Sequence, residues 1–180
     1  WREMIDMSII LNEIRSYSKE IVNFIQSHQD AYTGLEHLQE NVDVPKDRQL
    51  FNIINGNQIV GFFMVVNNIN KGKDIGCEIE IGIFDNYKGK RLAEQTIKYF
   101  LKNHVKEEFK IDNKCIYAVV NKSNKCFKYM MSILGKCKFK LDEKPSQYKE
   151  TKEGIALLKR YGMALPTDTE TKELIYYYKL

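Results

Sequence analysis

At 180 residues the chain has the length of one domain, and its 43% hydrophobic, 12% aromatic and 29% charged residues fit a globular fold with its own core. A net charge of +4 suits an anionic small molecule but is too small to argue for nucleic acid. The longest apolar run, IVGFFMVV from Ile59 to Val66, falls far short of the roughly 20 residues a bilayer crossing needs, so no membrane span is expected.

In chain order, WREMID precedes a start at Met7 and reads as a tag or extension, with no signal peptide. SIILNEI, from Ser8, reads as a first strand. SKEIVNFIQSHQD and GLEHLQENV read as two short helices broken at Thr33–Gly34. QLFNII and QIVGFFMVV flank the turn NGN, Asn55 to Asn57, and predict a hairpin because Asn-Gly tolerates the positive φ angles of tight turns. NNINKGKD reads as a polar loop, followed by a long strand from Cys77 to Phe84. Ala93, Ile97, Phe100, Leu101 and His104 then recur at helical spacing and predict one core-facing stripe. KCIYAVV is a buried-type strand. Phe127, Met130, Met131 and Leu134 mark a further helix ending at Gly135. KCKFKL is another strand, SQYKETKEGIALLKRYG an extra helix and ELIYYYKL a closing strand. The order β-α-α-β-β-β-α-β-α-β-(α)-β predicts a single mixed α/β sheet in one domain, 1–180, without internal repeats. Residues 142–171 form an inserted helix or loop before the last strand, read as a lid or a dimer element.

Cys77, Cys115, Cys126 and Cys137 form no CxxC pair and have no His at ligand spacing. Three of them sit in apolar or strand-like surroundings and read as small buried hydrophobes, in a reducing, cytoplasmic setting, with no metal site expected. His28, His37 and His104 read as surface or packing residues; His37 stands out for its acidic neighbours.

The segment IGIFDNYKGKRLAEQTIKYFL, Ile81 to Leu101, runs from strand through a basic turn into a helix. Lys88, Lys90 and Arg91 crowd the helix start, where the unpaired N–H groups and the dipole already favour negative charge. An anion at that point satisfies both, so the placement points to a phosphate-bearing ligand.

EIEIGIFDNYKGKRLAEQTI resembles the fourth strand and acyl-CoA signature, Q/R-x-x-G-x-G/A, of the GNAT N-acetyltransferase superfamily. NGNQIVGFFMVV, including Gly61, resembles that family's second and third strands, and NKSNKCFKYMMSILGKCKFK its Asn-containing helix and following strand. The match runs from about Leu50 to Leu141, with Glu173 to Leu180 similar to the last strand. The resemblance implies an α/β (α+β) fold with one mixed, mostly antiparallel sheet flanked by helices, and acetyl-CoA (CoA) as cofactor. It places the signature on Lys88, Gly89, Lys90, Arg91, Leu92 and Ala93, whose backbone N–H groups would wrap the CoA pyrophosphate. Arg91 stands where the family has its first signature glycine and is expected to swing out and add a charged bond. The strand Ile81, Ile83 and Phe84 would pair with the pantetheine arm, and Asn124, also a good helix cap, would lie near it.

Glu78 and Glu80 share one face of this strand and are candidate general bases, Glu80 first. The family's leaving-group tyrosine aligns with Met131, which fits the apolar stripe, and Tyr129 is the nearby candidate acid. Asp30, Glu36, Glu40, Asp43 and Asp47, against Lys46 and Arg48, form a local negative excess that would attract a cationic amine. The implied function is acetyl transfer to a primary amine of a small molecule or peptide, by direct attack in a ternary complex. The alternative is a non-catalytic acyl-CoA-binding or sensing domain. Lys136, Lys138 and Lys140 offer only weak grounds for nucleic acid, and a homodimer meeting through strands is compatible with the order.

Overall fold

The computed structural model describes residues 9–32, 35, 37–70, 75–103, 115–121, 124–142 and 173–180. Within them lie β1 (Ile9–Ile14), α1 (Lys19–Ser27), β2 (Arg48–Asn55), β3 (Gln58–Asn70), β4 (Ile75–Ile83), a 3-10 turn (Asp85–Tyr87) and α2 (Leu92–Asn103). They are followed by β5 (Cys115–Asn121), α3 (Phe127–Lys136), β6 (Lys140–Leu141) and β7 (Glu173–Lys179). The strands form one mixed sheet in the order β1-β2-β3-β4-β5-β7-β6, in which only β4 and β5 run parallel.

Strand periodicity divides the apolar residues between two faces. One face puts Phe51, Ile53, Phe63, Val65, Ile79, Ile116 and Ala118 against Leu92, Ala93, Ile97 and Phe100 of α2 and Ile133 and Leu134 of α3. The other puts Leu50, Phe62 and Met64 against Ile21, Val22 and Ile25 of α1, with Tyr17 and Tyr32. The α2 stripe thus packs as its spacing predicts, while His104 lies outside the described residues. Ser18 caps α1, its hydroxyl accepting the Ile21 N–H at 3.4 Å.

The hairpin forms with a two-residue loop, since Asn55 pairs with Gln58. Gly56, at φ 62°, is the first central residue, so glycine rather than asparagine takes the positive angle. Three boundaries differ from expectation. No second helix forms at the described residues 35 and 37–42; instead Leu35 and Leu38 make turn bonds to Tyr32 and Leu35, and Asn41 and Val42 exchange backbone bonds with Tyr17. Bonds to the β1–α1 junction hold this stretch more strongly than a nine-residue helix could hold itself. Asn67 to Asn70, expected as loop, extend β3 past a register shift between Val66 and Ile69. Helix α3 continues through Gly135, and Lys138 at φ 66° is the left-handed residue that ends it, with Phe139 N–H bonding Leu134 carbonyl at 3.0 Å. This leaves only Lys140 and Leu141 for β6. The predicted helix SQYKETKEGIALLKRYG and the rest of the inserted segment after Asp142 lie outside the described residues.

β4 and β5 pair over only three positions, Gly76–Cys115, Cys77–Ile116 and Glu78–Tyr117. Past them the two strands continue with no ladder between them, so a cleft opens in the middle of the sheet. The close approach at its base needs Gly76, where a Cβ would lie 2.1 Å from the Cys115 carbonyl oxygen. Gly76→Ala is therefore expected to cost about 1–3 kcal/mol through forced separation of the strands, read as a lower midpoint in urea unfolding; an unchanged midpoint would contradict the tight junction.

Candidate functional site

The cleft continues into a cavity of about 590 Å³. β4 contributes Ile79 to Ile83, β5 Ala118 to Asn121, and the basic turn Lys88, Gly89, Arg91, Leu92 and Ala93. Phe24, His28 and Tyr32 line the α1 side, and Asn124, Cys126 and Tyr129 the α3 side.

The backbone of β4 is turned so that part of it faces this space. Phe84 N–H donates to Val60 carbonyl at 3.0 Å, so by strict alternation the peptide groups of Gly82 and Glu80 face β3. Those of Ile79, Ile81 and Ile83 face the opposite way, into the cleft. The Tyr32 hydroxyl confirms the direction, reaching the Ile81 carbonyl at 2.6 Å.

At the mouth, Gly89 (φ 82°) and Arg91 (φ 57°) both adopt the left-handed conformation just before α2 begins. Such alternation turns successive backbone N–H groups towards one side and forms an anion-binding concavity. For arginine this backbone costs about 1–2 kcal/mol relative to glycine. The first recorded bond of the helix runs from Gln95 N–H to Arg91 carbonyl at 3.1 Å, so the N–H groups of Leu92, Ala93 and Glu94 precede the intrahelical ladder.

Most of the residues singled out from the sequence come together here: Glu80, Ile81, Ile83, Lys88, Gly89, Arg91, Leu92, Ala93, Asn124 and Tyr129 all line the cavity. Glu78, Phe84 and Lys90 are not among the lining residues, and the Arg91 guanidinium has a partner of its own. Glu78 sits in the short ladder opposite Tyr117, at the base of the cleft rather than in its lining. Phe84 turns into an aromatic cluster with Phe24, ring centroids 5.7 Å apart. Lys90 lies over the Tyr87 ring at 5.6 Å. The Arg91 guanidinium, expected to reach for a ligand, bonds the Glu94 carboxylate at 3.1–3.3 Å. Met131 packs against the core. Asn124 does not cap α3, whose N-cap is Cys126 without a side-chain bond; its side chain instead accepts the Cys126 N–H at 2.8 Å in a turn just ahead of the helix.

Lys88 pairs with Asp85, and hydrogen bonding from Lys88 holds the Asp85 carboxyl below its usual range. Asp30, Glu40 and Asp43 are exposed and outside the cavity lining; Asp43 and Arg48 line a separate hollow of about 430 Å³ between β1 and β2. Glu36 and His104 lie outside the described residues, and His37 is exposed. Among the described residues, Glu80 is thus the one carboxylate of the cavity lining, which also holds the cations Lys88, Arg91 and Lys125.

Sequence reasoning missed Tyr32, Phe24 and Cys126. Tyr32 lies in the polar stretch QDAYTG with no periodicity to betray it, yet it is 7% exposed and packs against Phe24 and Phe62. His28 stacks on Phe24 at 4.1 Å and lines the cavity. Helix α1 carries these aromatic groups to the cleft because Phe24 and His28 stand one turn apart.

This arrangement of strands is found in solved structures. A Bacillus subtilis acetyltransferase in complex with CoA matches with a TM-score of 0.58 at 13% identity, over 97% of this chain and 99% of its own. A GNAT family acetyltransferase from Elizabethkingia anophelis with acetyl-CoA bound gives 0.59 at 11% identity, over 96% and 98% of the two chains. The chain has the GNAT acetyltransferase fold. A spermidine N-acetyltransferase variant from Vibrio cholerae shares this GNAT fold with a TM-score of 0.53 at 11% identity, over 95% and 93% of the two chains. No protein-family model and no curated protein matches the sequence.

Burial drives the Tyr32 phenol far above its ordinary value, with the charge of Glu80 adding to the shift. The raised value means that the folded state holds the proton and the unfolded chain releases it near pH 10. Stability from this group is therefore complete below about pH 10 and is lost as the pH rises further. Urea unfolding between pH 9 and 11.5 is expected to show a falling midpoint, with a shallower fall in Tyr32→Phe; equal slopes would remove Tyr32 as the source.

Proposed function

We propose that the protein is an acetyl-CoA-dependent N-acetyltransferase that acts on a primary amine by direct attack in a ternary complex. The observation that carries this reading is the joining of two features in one cavity: the β4 backbone that faces the cleft, and the left-handed turn at the start of α2. The CoA-bound neighbours with the same fold support it.

The residues fit such a cofactor. N–H groups of the turn from Gly89 to Ala93 would hold the pyrophosphate, with Lys88 and Lys125 supplying charge around it. The Ile81 N–H and the Ile83 peptide group would pair with the amides of the pantetheine arm, as a third strand between β4 and β5, the Ile81 carbonyl already accepting from Tyr32. Asn124 would close the arm from the α3 side. Bound acetyl-CoA would supply the activated thioester.

The protein's own part is positioning and proton handling. Glu80, half-buried beside Tyr32, would accept the proton of the attacking amine on its carboxylate, directly or through water. A backbone N–H of β4 would steady the developing oxyanion. Tyr129, half exposed in the lining on α3, is the phenol we assign to the departing thiolate, since Met131 carries none. The single carboxylate in the lining favours a cationic amine as acceptor, a small molecule or a peptide end.

Acetylation assays over a panel of amines, with CoA release as the signal, are the direct test. Turnover of at least one amine is expected, with Glu80→Gln lowering kcat by about 10²–10⁴-fold. CoA binding without turnover of any amine would favour the non-catalytic acyl-CoA-binding reading instead, and absence of both would end the proposal.

A further inference from the structure

Glu94 stands in the first turn of α2 and takes no part in the proposed transfer. Its side chain is 5% exposed, whereas those of Arg91, Lys98 and Lys136, which close over it, are 68%, 53% and 55% exposed. Arg91 reaches both carboxylate oxygens at 3.1 Å, Lys98 reaches Oε1 at 2.7 Å, and Lys136 on α3 comes within 3.9 Å of Oε2. Bonding from Lys98, and then from Arg91, holds the carboxyl below its ordinary range, so it is charged at neutral pH.

The location is unusual for such a grouping. A carboxylate at a helix N-terminus takes up the favourable field that an incoming phosphate would use. It also takes up the guanidinium of Arg91, which lines the cavity beside the left-handed turn. We infer that Glu94 is an internal competitor of the diphosphate, which keeps the affinity of the turn for its anionic ligand below what its cations alone would give. The inference rests on the acyl-CoA reading of the site and deepens it.

The sign does not depend on where Arg91 goes when ligand binds. If the guanidinium stays on Glu94, the carboxylate still repels the phosphates from one turn away. If it leaves for the phosphates, its pairing with Glu94 is lost and subtracts from binding. Either way, removing the negative charge tightens binding of a polyanion and leaves an uncharged ligand unaffected. A bridge that merely held α2 to α3 would act in the opposite direction, because loosening it would degrade the site.

The test compares CoA with pantetheine, which lacks the phosphates, by calorimetric titration at low salt. Glu94→Gln is expected to bind CoA about three- to tenfold more tightly, the size of effect one screened unit charge exerts over a few ångströms, with pantetheine unchanged. The gain should shrink as salt is raised. Glu94→Asp, which keeps the charge, should stay within about twofold of wild type, and in an Arg91→Gly background the gain from Glu94→Gln should be smaller. CoA bound equally or more weakly by Glu94→Gln would overturn the inference, as would equal tightening of pantetheine. Failure of the wild-type protein to bind CoA at all would overturn the acyl-CoA reading itself, and this inference with it.

Discussion

Two parallel strands that begin a ladder and then part company impose the main constraint on this molecule. β4 and β5 pair from Gly76 to Glu78 and no further, yet both strands go on for several residues. A strand edge inside a protein carries backbone donors and acceptors that must find partners or remain in contact with water. Here the antiparallel partner β3 satisfies one side of β4 and fixes, through alternation, which peptide groups turn to the cleft. The cleft is therefore a property of the ladder rather than a gap left by side chains. What lies along it is polar backbone flanked by the apolar side chains of Ile79, Ile81, Ile83 and Val120. That combination matches a ligand that is itself a chain of amides and methylenes.

The helices divide the remaining work. α2 and α3 bury one face of the sheet and bring the left-handed turn and Asn124 to the mouth. α1 covers the other face and supplies Tyr32, whose hydroxyl occupies the Ile81 carbonyl. Cations gather where the strand gives way to α2, whereas Glu80, the one carboxylate among the described lining residues, stands near Tyr32. The charged groups of the described lining are thus separated, with Lys88 and Arg91 at the turn and Glu80 on β4.

Features set by local physics were legible in the sequence. The hairpin followed from NGN between two apolar runs, and the strand, basic turn and helix from Ile81 to Leu101 followed from a change of hydrophobic period around a glycine. Glu80, Lys88 and Asn124 could be placed because each stands at a fixed offset from such an element. Features set by long-range contacts were not legible. The stretch after Thr33-Gly34 carries an apolar spacing of helical type, but its backbone bonds go to Tyr17, on the far side of α1. Glu78 and Glu80 share one face of the strand, and although the resemblance already puts Glu80 first, it is the end of the ladder at Glu78 that separates them physically. Tyr32 had no periodic signal at all, since a turn brings it to the sheet.

Arg91 illustrates how backbone and side chain can make separate demands at one position. The family's glycine at this point is usually explained by space near a phosphate, but the φ of 57° gives a second reason that holds even without a ligand. An arginine there carries backbone strain, and its long side chain takes a partner and a direction of its own. Glu94, three residues on and hence on the same side of the helix, provides both: a bidentate partner for the guanidinium and a direction that leads it along α2. The pairing leads the guanidinium away from the turn, while the same carboxylate occupies charge at the place where the ligand would need it. Retaining the geometry of the turn and retaining its full attraction for an anion are therefore separate properties in this chain, set by different atoms of the same residue pair.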